Sequence, residues 1–138
     1  MNNQLKNLLL VLLLTIWGIS NISAQEIDVN TKVDYVVLTK KIAQLEPILL
    51  AAESLSKATS FGNFEVIICG KEVVNLKDEN KMKAHIEKAK RLGVVLNACG
   101  FSLKKFGVAY EEVPIKIIDN GILYNLQLQQ KGFLSLEL

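Results

Sequence analysis

The sequence predicts an α/β domain of three layers, with a mostly parallel sheet of about five strands and helices on both faces. Three observations carry this reading. Short apolar, β-branched runs alternate with helical segments from Val33 to the end of the chain, the order that builds parallel sheets. The strand runs are nearly continuous in apolar character, as suits strands covered on both faces. Glycines at 70, 93, 107 and 132 stop individual segments, and right-handed crossovers then fold the units into one compact domain.

"VDYVVLT" is the first strand. A helix follows across "LEPILLAAESLSKAT", with Pro47 in its first turn, where a missing N–H costs little. Ile48, Ala52 and Leu55 form its expected inward stripe. "FEVIIC" is the second strand, closed by Gly70. "KEVVNL" fits a short strand or a loop, and is a candidate contact segment or flap over the site. "DENKMKAHIEKAKRLG" is an amphipathic helix with Asp78 as N-cap, Met82, Ile86 and Ala89 on one face, and Gly93 as its C′ residue. Lys88, Lys90 and Arg91 place positive charge at its C-terminal end, where the dipole favours it. "VVLNA" is the third strand and Cys99 follows it at once. "FSLKKFG" is a short helix, "YEEVP" a turn, "IKII" a fourth strand, "GILYNLQLQQKG" a last helix and "FLSLEL" a closing strand.

Residues 1–24 read as an export signal. Lys6 lies in a short n-region, and "LLLVLLLTIWGI" has the length of an h-region, roughly 7–15 residues. A membrane span needs about 20 apolar residues. "SNISAQ" places the cut after Ala24, although Ile22 stands where a small residue is usual; an uncleaved anchor is the other reading. Residues 25–32 are a polar, mobile lead-in, and residues 33–138 are the domain. The expected location is the periplasm, with no membrane attachment after cleavage.

Removing residues 1–24, which carry one Lys and no acid, takes the formal net charge from +2 to +1. The basic residues are dispersed and all but Arg91 are lysines, so no stripe for phosphates or bases is present and no nucleic-acid partner is expected. With 50% hydrophobic residues the chain can bury one core. Two cysteines are too few for a disulfide scaffold.

Chemistry concentrates at Cys99. It ends a strand and precedes a helix, at the sheet edge where α/β proteins place their sites. Exposed N–H groups and the helix dipole there favour a thiolate, the nucleophilic form, and Gly100 leaves the backbone free to approach. The competing reading is a small buried hydrophobe. Cys69 and Gly70 stand at the equivalent end of the second strand. If another strand lies between them, the cysteines are about 9–10 Å apart and a disulfide needs movement, since it requires Cα atoms within about 7 Å. The alternatives are two unpaired thiols, a disulfide, or a transient pair in which Cys69 resolves a sulfur adduct on Cys99.

The other candidates carry less. His85, the only histidine, has no partner pattern for zinc, so no metal is expected. Ser54, Ser56 and Ser102 lack the nucleophile-elbow context, and no nucleotide-binding glycine motif occurs. Glu111 and Glu112 read as solvated acids. Lys104 and Lys105 add positive potential near Cys99 or line a solvated face. Leu123, Tyr124, Leu126 and Leu128, with "FLSLEL", are many apolar groups for one small face, and point either to the domain's own core or to a subunit contact.

The stretches "GVVLNACGFSLKKFGVAYEEV" and "IIDNGILYNLQLQQKGFLSLEL" resemble the DsrE/DsrF-like sulfur-relay family, in particular its small exported single-domain members. The shared features are Gly93-Val94, Ala98-Cys99, Ser102-Leu103, Gly107-Val108, Gly121-Ile122 and Gln129 to Phe133. "FEVIICGKEV" resembles the family's second strand and its glycine, and the likeness covers nearly all of Val33 to Leu138. The resemblance implies a flavodoxin-like fold and homo-oligomers, trimers or hexamers. It also implies a cysteine that accepts sulfur as a persulfide and passes it to a partner protein, which by motif match is Cys99. Phe101 stands where the family often has Asn, and Cys69 where it often has His.

The reading is therefore an exported sulfur carrier with Cys99 as its site, supported by Gly100, Phe101, Ser102, Cys69 and Gly70, and needing no cofactor. One rival is a non-catalytic assembly module that binds a small ligand or a protein. The other is a thiol–disulfide redox partner using Cys69 and Cys99.

Overall fold

The computed structural model describes residues 31–138, so the export signal and residues 25–30 of the lead-in lie outside the described residues. The strands are β1 (Val33–Thr39), β2 (Phe61–Ile68), β3 (Val94–Cys99), β4 (Lys116–Ile118) and β5 (Leu134–Glu137). The helices are α1 (Leu45–Leu55), α2 (Glu79–Leu92), α3 (Gly100–Lys105) and α4 (Gly121–Gln130). Every strand pairing is parallel, and the sheet order is β4-β3-β2-β1-β5. The expected three-layer, flavodoxin-like α/β architecture is present.

The order of strands decides which helix covers which face. The first four strands step in one direction, so right-handed crossovers place α1, α2 and α3 on one face. The step from β4 to β5 runs back across the sheet, which puts α4 on the other. Burial follows this division. Val37, Val66, Ile68, Leu96 and Ala98 pack with Ile48, Leu49, Met82 and Leu103. Val36, Leu38, Ile67, Cys69, Cys99 and Ile118 pack beneath Leu128 of α4, with Tyr124 and Phe133 alongside.

Local signals explain most boundaries. The Asp78 carboxylate accepts from the N–H groups of Asn80 and Lys81, and Gly93 closes α2 at φ 69°, a left-handed conformation open to glycine. Two details differ from expectation. On α1 the inward stripe is Leu45, Ile48, Leu49 and Ala52; Leu55, the last residue of the helix, is 37% exposed. The strand β2 begins three residues earlier than expected, at Phe61, whose ring stacks with Tyr35 and Phe64.

Lys71–Lys77 is neither strand nor flap. It forms a 3-10 helix with Val73 and Leu76 fully buried, and its Glu72 carboxylate accepts the Ile42 N–H at 2.7 Å. Spacing of three residues suits a 3-10 turn and puts both apolar side chains into the core. Leu76→Ala should therefore lower the unfolding free energy by about 2–5 kcal/mol, measured by urea denaturation. A loss below about 0.5 kcal/mol would show instead a segment that merely lies on the surface.

Candidate functional site

The carboxyl ends of β3 and β4 form the switch point of this sheet. The chain leaves β3 toward the α1–α3 face and leaves β4 toward the α4 face, the divergence beside which parallel α/β sheets place their sites. Cys99 is the last residue of β3, in register with Ile118 at the end of β4. Its side chain lies on the α4 face and is 3% exposed.

The start of α4 is seated on this sulfur. The Asn120 side chain accepts from the N–H groups of Ile122 and Leu123, at 3.0 and 3.2 Å. The Gly121 N–H is left over and donates to Cys99 Sγ at 3.3 Å. A first-turn helix N–H of this kind has no intrahelical partner and favours negative charge. Further along α4, the Tyr124 hydroxyl donates to Glu65 at 3.0 Å, and the Asn97 amide donates to the same carboxylate at 2.8 Å. Burial and then this bond to Glu65 raise the Tyr124 pKa above its usual value, so the phenol remains the donor that ties the helix to β2 and β3.

Gly121 is required by space. A Cβ there would collide with Cys69 Sγ, and would lie 2.8 Å from Ile67 Cγ2 and 3.2 Å from Cys99 Cβ. Gly100 is similar: a Cβ would meet the Tyr110 hydroxyl at 2.7 Å and the Ile118 carbonyl at 3.1 Å. Both glycines let helices begin in contact with the strand ends.

Cys69 is the nearest reactive neighbour. The condition that would have separated the cysteines, an intervening strand, is not met: β2 and β3 are adjacent, with Ile68 opposite Ala98. One residue further on, Cys69 and Cys99 lie side by side on the α4 face. Both are free thiols. Neighbouring strands are about 4.7–4.9 Å apart, inside the Cα range of about 4.4–6.8 Å that a disulfide spans.

Their acidities are driven apart. Burial and then the adjacent Cys99 push the Cys69 thiol up to about 12. Burial also opposes ionisation of Cys99, but the Ser102 hydroxyl, the Gly121 and Ser102 N–H groups and the Cys69 thiol outweigh it and bring its pKa below the ordinary thiol value. The site thus favours ionisation at Cys99 over Cys69, whose thiol hydrogen-bonds to it, the division of labour expected when environments separate two titratable groups.

The other expected site residues divide. Ser102 and Gly70 join the site: the Gly70 N–H donates to Ser102 Oγ at 3.0 Å, which orients the hydroxyl beside Cys99. Phe101 contributes through its backbone, donating to the Asp119 carbonyl at 2.8 Å, while its ring is 61% exposed. Lys104 and Lys105 are exposed, with their ammonium groups over the Tyr110 and Phe106 rings at 6.0 and 5.8 Å. The Ser54 and Ser56 hydroxyls donate to nearby α1 carbonyls. Among the described residues, no group of three His, Cys, Asp or Glu side chains is placed to hold a metal, and no helix is long and apolar enough to cross a membrane. The hydrogen-bonded trio Glu65, Asn97 and Tyr124 adds a polar anchor to a helix whose sequence reads as apolar there. The sequence signal of this anchor is Asn97 itself, a lone amide inside the apolar run "VVLNA".

No family model matches the chain. No curated protein matches it either. Two solved structures are similar in fold. One is a protein of unknown function from Methanobacterium thermoautotrophicum, with TM-score 0.63 and 15% identity, covering 76% of this chain and 100% of the other. The second is a conserved protein of unknown function from Bacteroides thetaiotaomicron, with TM-score 0.59 and 16% identity, covering 76% and 95%. At these identities the likeness is one of fold.

Gly121→Ala tests the seating of α4. The added methyl must push Cys69 Sγ and Ile67 aside, so stability should fall by about 1–3 kcal/mol. Gln129→Ala, exposed on the same helix, should stay within about 0.5 kcal/mol of the parent. Equal unfolding midpoints for all three proteins in urea would contradict the contact.

Proposed function

We propose that the protein is an exported, homo-oligomeric sulfur carrier that holds sulfur on Cys99 as a persulfide. One observation carries the reading: a cysteine at the switch point of the sheet with hydrogen-bond donors gathered on its sulfur, which favour the thiolate. The resemblance of its surrounding sequence to the DsrE/DsrF-like family supports the same role.

The chemistry follows from the thiolate. The Cys99 sulfur attacks the outer sulfur of a donor persulfide or polysulfide. A bond forms between Cys99 Sγ and that sulfur, the donor S–S bond breaks, and the donor leaves as a thiolate. In the second step an acceptor thiolate attacks the outer sulfur and Cys99 departs as thiolate, with the Gly121 N–H and Ser102 again stabilising its charge. No metal, nucleotide or flavin enters either step. Exposed Leu123 and Leu126 on α4, and Leu134 and Leu136 on β5, are apolar surface suited to contact with further subunits.

Mild treatment of the reduced protein with inorganic polysulfide, followed at once by intact mass spectrometry, tests this. A gain of one sulfur mass is expected in the parent and absent in Cys99→Ser. The absence of both a gain and a disulfide in the reduced, folded parent protein would remove the carrier function and leave a binding module in which Cys99 is only a buried side chain.

A further inference from the structure

We propose that Cys69 is the resolving thiol of this site, attacking a persulfide on Cys99 to release sulfide and leave a Cys69–Cys99 disulfide. The inference rests on the carrier reading and adds a second outcome to it: sulfur that is not passed on is discharged as sulfide.

Three geometric facts support it. Cys69 and Cys99 end adjacent parallel strands in matching register, so their Cα atoms stand within disulfide reach. Both side chains lie on the α4 face and crowd the same point above Gly121. Both are buried and unpaired, so Cys69 is a nucleophile that the two transfer steps leave unused.

The step balances without an outside oxidant. Cys69 sulfur attacks the inner sulfur of the persulfide, Cys99 Sγ. A Cys69–Cys99 bond forms, the bond from Cys99 Sγ to the outer sulfur breaks, and hydrosulfide leaves with the proton of the Cys69 thiol. The two cysteine sulfurs together lose two electrons and the sulfane sulfur gains them. An external dithiol must then reduce the disulfide before the next cycle.

The asymmetry of the pair sets the order of events. Thiolate, not thiol, attacks sulfur, and burial keeps Cys69 protonated. Loading at Cys99 therefore precedes resolution. Proximity compensates in part, since an intramolecular partner acts at a high effective concentration. The result is an interval in which an acceptor can take the sulfur before Cys69 discharges it.

The test treats reduced full-length mature protein with inorganic tetrasulfide under anaerobic conditions, removes the excess rapidly, and follows intact mass and free sulfide with time. The parent should first show a gain of one sulfur mass. This should give way to a loss of two hydrogens relative to the reduced chain, with one equivalent of sulfide released. Cys69→Ser and Cys69→Ala, each checked for folding by urea midpoint, should keep the adduct and release sulfide at least about tenfold more slowly. A parent that keeps its adduct as long as both variants, with no disulfide, overturns the resolving role and leaves the carrier reading standing. No adduct at Cys99 in any of the folded proteins overturns both.

Discussion

Gly121 lends its N–H to the Cys99 sulfur at 3.3 Å, and this bond requires agreement between distant parts of the chain. The sulfur has to end β3, an interior strand that lies between β4 and β2. The donor has to begin α4, which starts only after the chain has completed α3, a turn and β4. The side chain at 121 has to be absent, because Cys69 and Ile67 already fill the space a methyl would take. The Asn120 amide has to satisfy the next two N–H groups, so that the first is left for the sulfur.

The sheet order makes this meeting possible. With β5 added beside β1, α4 must run back across the face that the other helices leave uncovered. Its first turn then lies under the ends of β3 and β2, where the two cysteines are. Tyr124, Glu65 and Asn97 hold the helix in place by hydrogen bonds from the middle of that face. A partly buried polar anchor of this kind fixes orientation in a way that Leu128 packing alone does not.

The legible part of the sequence was what local patterns specify. Strand runs, the Asp78 cap, the Gly93 stop and the position of Cys99 at a strand end all follow from short-range physics, and all are present. Other features depend on strand order, which no local pattern encodes. The adjacency of Cys69 and Cys99 is one, since it needs β2 and β3 to be neighbours. The contact of Gly121 with both sulfurs is another. "KEVVNL" was ambiguous for a different reason: a short apolar run does not distinguish a strand from a 3-10 turn by periodicity, and burial of Val73 and Leu76 settles it only in three dimensions.

The central claim is that one environment drives the acidities of two neighbouring cysteines apart, with Cys99 the more acidic. The most direct measurement follows the Cβ chemical shifts of Cys69 and Cys99 by NMR as a function of pH in the reduced protein. Two separate titrations are predicted. As pH rises, Cys99 should ionise first, below the ordinary thiol value, because its donors favour the charged form. Cys69 should stay protonated through that range and ionise only near about 12. Both cysteines titrating together at an ordinary thiol pKa would contradict the account.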